Sequence, residues 1–154
     1  MSETRFEYYS PNRILFGRSS SQQAGEIGRG LGKRPLLVTG SDPDRYPELL
    51  DSLGDLPAGR FTVSGEPTLE LVRQGVAVAT GLECDSAIAV GGGSVLDAAK
   101  AISGLLTNPG DPLDYLEVIG RGQPLANRAV PLLALPTTAG TGSEVTRNAV
   151  LAAP

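Results

Sequence analysis

With 154 residues, 40% of them hydrophobic and 19% charged, the chain has the size and composition of one compact domain with its own core. Its 13 Lys and Arg against 17 Asp and Glu leave a formal charge of −4 and no basic block, so neither nucleic acid nor an anionic membrane surface is expected as a partner. The sequence contains no His, which excludes a Ser-His-Asp triad, a Cys-His pair and an HExxH zinc site; the single Cys84 excludes an internal disulfide and any cysteine-based zinc site.

The opening segment "MSETRFEYYSPNR" is polar and lacks an apolar signal core, and no stretch approaches the length of a membrane span, so a cytoplasmic location is expected. Apolar runs then alternate with helical patterns. "RILFG" (13–17) reads as a short strand, followed by a helix that Ser19 or Ser20 can cap and that nearby glycines can stop. "PLLVTG" (35–40) is a continuous apolar run of the buried-strand type. The following "DPDRYPELLDSLG" opens on an Asp cap and places Leu49, Leu50 and Leu53 on one helical face.

"RFTV" (60–63) reads as a third strand, and the next helix carries Leu69, Val72, Val76 and Ala79 at helical spacing after Pro67. "DSAIAV" (85–90) is a fourth strand. The helix after it, from Ser94 to about Leu106, presents Val95, Ala98, Ala99, Ile102, Leu105 and Leu106 as one apolar stripe. A long connection rich in Pro, Gly and Asn follows, with one short helix near Leu113 to Glu117; "VPLLALPT" (130–137) is a fifth strand. This alternation predicts an α/β fold: a Rossmann-like, open, mostly parallel sheet with helices on both faces.

Two stretches carry the chemistry. In "AIAVGGGSVLDAAKAI" a strand gives way to three glycines and then a helix, which are the ingredients of an anion site at a helix N-terminus. Ser94 is placed to cap that helix with Asp97 as its reciprocal partner. Asp97 and Lys100 then read either as cap and surface pair or, for Lys100, as a group that holds phosphate or braces the loop. The second stretch, "ALPTTAGTGSEVT" (134–146), clusters hydroxyls around Gly140 and Gly142 at the end of a strand, where they can meet phosphate, ribose or an adenine amino group. In an open parallel sheet both loops fall at the carboxyl edge, where ligands bind. Neither GxGxxG nor the Walker spacing occurs.

"SPNRILFG", "CDSAIAVGGGSVLDAAKAIS" and "PLLALPTTAGTGSEVTRNAVL", in this order and spacing, resemble the N-terminal half of the iron-containing (group III) alcohol dehydrogenases. The resemblance covers essentially the whole chain, residues 1–154. It implies the N-terminal dinucleotide-binding domain of a two-domain enzyme, with an all-helical C-terminal domain completing the active site in the cleft between them. It further implies that Gly91, Gly92, Gly93 and Ser94 hold the pyrophosphate of NAD or NADP, with Asp97 close by. Thr137 and Thr138 then contact the adenine side, and Thr141 and Ser143 reach toward the phosphates and nicotinamide ribose.

The chain departs from the family pattern at two positions. Where many NAD-using members have an acidic residue after the second strand, in "VTD", this chain has "VTGSD". Gly40 removes a carboxylate that would repel a 2′-phosphate and Ser41 adds a donor, so both cofactors, or a lean to NADP, are expected, with the alternative that a loop shifted by one or two residues lets Asp42 restore the ribose contact. Glu66 in "SGEPT" stands where the family commonly has Asn. The family's divalent metal, iron or zinc, is held by one Asp and three His of the C-terminal domain, so no catalytic or metal-ligating residue is expected in this chain.

The resemblance implies hydride transfer between a small alcohol and its aldehyde or ketone in the complete enzyme, with these residues inactive alone. The same fold also serves maleylacetate reduction and polyol oxidation, and a stand-alone nucleotide-binding or regulatory module is the alternative from another class. A homo-oligomer is compatible with the family, whose members often pair through the edge of this domain.

Overall fold

A computed structural model describes residues 13–153. Its centre is a four-stranded, all-parallel sheet in the order β2-β1-β3-β4, formed by β1 (Pro35–Thr39), β2 (Gly59–Thr62), β3 (Ser86–Gly91) and β4 (Leu132–Pro136). Five helices flank or connect these strands: α1 (Ala24–Leu31), α2 (Pro47–Leu53), α3 (Leu69–Gly81), α4 (Gly93–Leu105) and the single-turn α5 (Pro112–Tyr115). Among the described residues no helix is long and apolar enough to cross a membrane.

The two central strands, β1 and β3, are buried at every position, which is why each reads as an unbroken apolar or small-residue run rather than an alternating one. Successive side chains serve opposite faces. Leu36, Val38 and Ala89 pack with Val72 and Ala79 of α3 and with Val95, Leu96 and Ile102 of α4. Leu37, Ile88 and Val90 pack instead with Ala24 of α1 and with Leu49 and Leu53 of α2. Helices thus cover both faces, and each fully buried Leu or Ile contributes about 2 kcal/mol.

Several local expectations need correction. Residues 13–17 form no strand: the segment lies outside the sheet, with Ile14 and Phe16 exposed, because three apolar residues in a row make a strand only where a ladder partner and a face to cover exist. Ser19 adopts a left-handed conformation (φ 61°) before a 3-10 turn at Ser20–Gln23 and makes no side-chain cap. Asp42 likewise precedes a 3-10 turn, Pro43–Arg45, without capping it, and α2 begins only at Pro47. The cap of α3 is Thr68, whose hydroxyl oxygen accepts from the Leu71 N–H. The expected short helix is present over Pro112–Tyr115, closed by a reciprocal capping box between Asp111 and Asp114.

Long-range polar contacts fasten the loops. The Asp85 carboxylate accepts from the backbone N–H groups of Lys33 (2.8 Å) and Arg34 (2.9 Å), and from the Ser86 hydroxyl. Burial, the largest single influence, would raise the Asp85 pKa, but these donors together hold it below the usual carboxylate range. Arg73 of α3 grips Asp111 in a two-pronged pair, Nε to Oδ2 at 2.7 Å and Nη2 to Oδ1 at 3.0 Å, which lowers the Asp111 pKa.

Candidate functional site

The carboxyl ends of the strands line up. Thr39, Thr62, Val90 and Leu135 share one level of the ladder, so the residues that follow each strand emerge along a common edge. The order β2-β1-β3-β4 also sends the chain two ways. The helix after β1 packs on one face and the helix after β3 on the other, so a topological switch point lies between these strands. Gly40 follows β1 and Gly91 closes β3, which puts a glycine on either side of that crevice.

Gly91 is the end of β3, Gly92 the N-cap of α4, and Gly93 and Ser94 its first two helical residues. Ser94 therefore lies inside the helix and is not its cap, and no side chain caps α4. A helix of 13 residues so begins with backbone N–H groups and a dipole but without a capping oxygen, the arrangement that suits an external anion. The small side chains are needed for space. A Cβ on Gly91 would come within 2.5 Å of Val95 Cγ2, leaving no room for it beside the first turn of α4.

The hydroxyl-rich loop folds over the same turn. The Thr137 N–H donates to the Gly91 carbonyl (2.9 Å), extending the β3–β4 ladder by one step. Beyond it, Thr138 Oγ1 would lie 3.1 Å from a Cβ on Gly92, while Ser143 Oγ and Thr141 Cγ2 would lie 3.2 and 3.3 Å from a Cβ on Gly93. Gly91, Gly92, Gly93, Ser94, Thr137, Thr138, Thr141 and Ser143 thus converge, although 43 or more positions separate the two stretches in sequence. Gly140 and Gly142 bend the loop with positive φ values of 99° and 68°, a conformation that glycine adopts without strain. Gly40 borders the site beside Val95, Ser41 is exposed next to it, and Glu66 is exposed in the loop after β2.

Asp97 makes no reciprocal cap with Ser94, and its i,i+3 pair with Lys100 is buried rather than on the surface. Its side chain is about nine-tenths buried, Oδ2 accepts from the Val150 N–H at 3.2 Å, and Oδ1 lies 2.8 Å from Lys100 Nζ. Oδ1 receives no well-angled hydrogen bond, so this contact is an ion pair held by charge rather than alignment. Lys100 Nζ also donates to Thr146 Oγ1 (3.2 Å) and to the Asn148 carbonyl. Of the alternatives for Lys100, the pair with Asp97 and the bracing of the loop occur together.

An open cleft of about 510 Å³ adjoins the glycine turn on the α2 side, lined by Arg45, Tyr46, Val90, Leu135, Pro136 and Thr137 among others. Arg45 was not legible as a site residue, because the walls come from segments scattered along the chain. Glu144, within the hydroxyl-rich loop, buries Oε2 without a hydrogen-bond partner, and nothing local in the sequence marks it. Cys84 is half-buried; burial pushes its thiol pKa up despite nearby Arg34, so the neutral form prevails and the group is a poor nucleophile.

A family model, "Iron-containing alcohol dehydrogenase", matches residues 11–154. The chain belongs to this family. Among its relatives, the choline dehydrogenase of Bacillus subtilis is 39% identical over 150 residues, covering 92% of this chain and 37% of that protein. Among solved structures, the NADH-dependent butanol dehydrogenase A of Thermotoga maritima superposes with a TM-score of 0.79 at 30% identity, covering 96% of this chain and 38% of the other. The sulfoacetaldehyde reductase of Bifidobacterium kashiwanohense, solved in complex with NAD+, gives a TM-score of 0.79 at 28% identity over 93% of this chain and 39% of the other. The chain thus spans less than two-fifths of the length of these relatives, and corresponds to the N-terminal portion of the family.

The residues present fit a dinucleotide, through the cradle in which glycines meet hydroxyls at the uncapped start of α4. They do not fit the family's metal. The chain has no His, and among the described residues no group of three or more Asp, Glu or Cys side chains could hold an ion.

Proposed function

We propose that residues 1–154 form the dinucleotide-binding domain of a metal-dependent alcohol dehydrogenase and hold NAD or NADP for hydride exchange with an alcohol or its carbonyl product. The observation that carries this reading is the convergence of the glycine turn and the hydroxyl-rich loop at the switch point of a parallel sheet. The nicotinamide, when bound, supplies the hydride chemistry. The chain's own part is binding and orientation.

In this reading the N–H groups of Gly93 and Ser94 face the pyrophosphate, helped by the α4 dipole, and the glycines let it approach the main chain. Thr137 and Thr138 serve the adenosine half, and Thr141 and Ser143 the phosphates and nicotinamide ribose. Asp97 acts at one remove, since its carboxylate is occupied by Lys100 and the Val150 N–H and so fixes the loop that carries the hydroxyls. Gly40 and Ser41 put no carboxylate directly after β1, which accommodates NADP as well as NAD. The metal that polarises the substrate oxygen, and most substrate contacts, belong in this proposal to a separate helical domain.

Calorimetric titration of the chain with NADH and NADPH tests the reading, and saturable one-to-one binding is the expected result. No alcohol oxidation is expected from these residues alone with added zinc or iron. Absence of dinucleotide binding, or turnover by the chain itself, contradicts the proposal.

A further inference from the structure

The adenosine end of the cleft contains one cation whose position the dinucleotide reading does not use. Arg45 ends the 3-10 turn Pro43–Arg45, a few residues beyond the end of β1, and contributes to the cleft together with Tyr46, Val90, Leu135, Pro136 and Thr137. We infer that Arg45 binds the 2′-phosphate of a 2′-phosphorylated adenosine cofactor and makes this site prefer NADPH over NADH. The inference rests on the dinucleotide proposal above and adds the residue that selects between its two cofactors.

Three observations support it. First, in a doubly wound sheet the residue at the end of a strand beside the switch point commonly offers a carboxylate to the ribose hydroxyls, whereas an arginine nearby accommodates a 2′-phosphate. Here that strand is followed by Gly40 and Ser41, which bring no charge, and Gly40 leaves space open beside Val95. Second, the walls of the cleft are chemically divided: Tyr46, Val90, Leu135 and Pro136 suit a flat heterocycle, while the charged part of the lining holds, among the described residues, Arg45 as its one cation together with the Glu48 carboxylate.

Third, Arg45 is weakly engaged. Its carboxylate neighbour is Asp42, three residues earlier, with Nε and Oδ2 4.0 Å apart and both side chains about two-thirds exposed. An exposed pair at that distance is worth little, whereas a guanidinium can bind a phosphate dianion through two parallel charge-assisted hydrogen bonds. Asp44 and Glu48 belong to the same stretch and oppose an incoming anion. Glu48 also lines the cleft, and Gln22 Nε2 donates to its Oε2 at 3.4 Å. Asp42 is therefore the direct competitor of the phosphate for Arg45.

The test titrates NADPH and NADH into the wild-type chain and into Arg45→Ala, Arg45→Lys and Asp42→Asn by calorimetry, with 2′,5′-ADP and 5′-AMP as probes of the adenosine end alone. Wild type is expected to bind NADPH more tightly than NADH, and 2′,5′-ADP more tightly than 5′-AMP. Arg45→Ala should lower the NADPH-to-NADH affinity ratio by about tenfold or more through loss of NADPH binding, Arg45→Lys should restore part of it, and Asp42→Asn should raise it. Rising ionic strength should weaken NADPH more than NADH in wild type but not in Arg45→Ala.

A ratio that falls by less than tenfold in Arg45→Ala, or wild type that prefers NADH, overturns the inference while leaving the dinucleotide proposal standing. An Asp42→Asn variant that loses NADH affinity instead assigns Asp42 to the ribose hydroxyls and overturns it too. Failure of the wild-type chain to bind either dinucleotide removes both.

Discussion

Asp97 holds Lys100 at 2.8 Å on one carboxylate oxygen and the Val150 N–H at 3.2 Å on the other, so one buried side chain of α4 ties its own helix to a segment 53 residues further along. The pair is about nine-tenths buried, and Lys100 relays the connection to Thr146 and Asn148. Removing either partner alone strands a charge in a poorly solvated place. Lys100→Met should therefore cost about 3 kcal/mol of stability in urea unfolding, and Asp97→Asn/Lys100→Met, which leaves no charge, should recover a large part of that. A double variant no more stable than the single one would show that the loop contacts, and not the buried charge, dominate.

Gly91 and Gly93 have different jobs and should separate in experiment. A methyl group at 91 meets Val95 at 2.5 Å on a packed helix, so Gly91→Ala should lose about 2 kcal/mol of stability. At 93 the nearest atoms are Ser143 Oγ and Thr141 Cγ2, at 3.2 and 3.3 Å, side-chain atoms of a loop that can yield slightly. Gly93→Ala should keep its stability within about 1 kcal/mol of wild type but bind NADH or NADPH about tenfold more weakly. Thermal melts and calorimetry distinguish the two, and a Gly93→Ala chain with unchanged affinity argues against a pyrophosphate at this turn.

Asp85 and Asp111 govern the acid limb of stability. Both have folded pKa values below the ordinary carboxylate value, Asp85 because its donors outweigh burial and Asp111 chiefly because of its hydrogen bonds to Arg73. A depressed folded pKa adds stability that is fully present above the unfolded pKa of about 3.9 and is lost as pH falls through the folded value. Asp85→Asn and Asp111→Asn should each be less stable than wild type at neutral pH, with the difference shrinking as pH drops below about 4. Urea unfolding at several pH values measures this; a difference constant down to low pH would contradict it.

What could be read from the sequence follows from where its physics is local. The runs at 35–39 and 86–91 announce buried strands because both of their faces are covered, and the α4 stripe is plain because helical spacing puts Val95, Ala98, Ala99 and Ile102 on one side. The two loops were recognisable from composition, and their meeting follows from the parallel topology. "RILFG" misled because strand formation there depends on a partner that local residues do not specify. Ser94 misled because a serine near a helix start reads as a cap, whereas the turn itself supplies Gly92. The buried role of Asp97 and the cleft position of Arg45 depend on residues far away in the chain, beyond the reach of periodicity.

After its threonines, the chain crosses back to the start of α3, where the Ala152 N–H donates to the Pro67 carbonyl (2.9 Å) and the Ala152 carbonyl accepts from the Leu69 N–H (3.3 Å). The hydroxyl-rich segment is thereby moored at both ends, to β3 through Thr137 and to α3 and α4 through Ala152 and Val150. A strip of chain clasped in this way has surrendered much of its freedom during folding, so an arriving ligand has less disorder left to quench and keeps more of its contact energy as affinity.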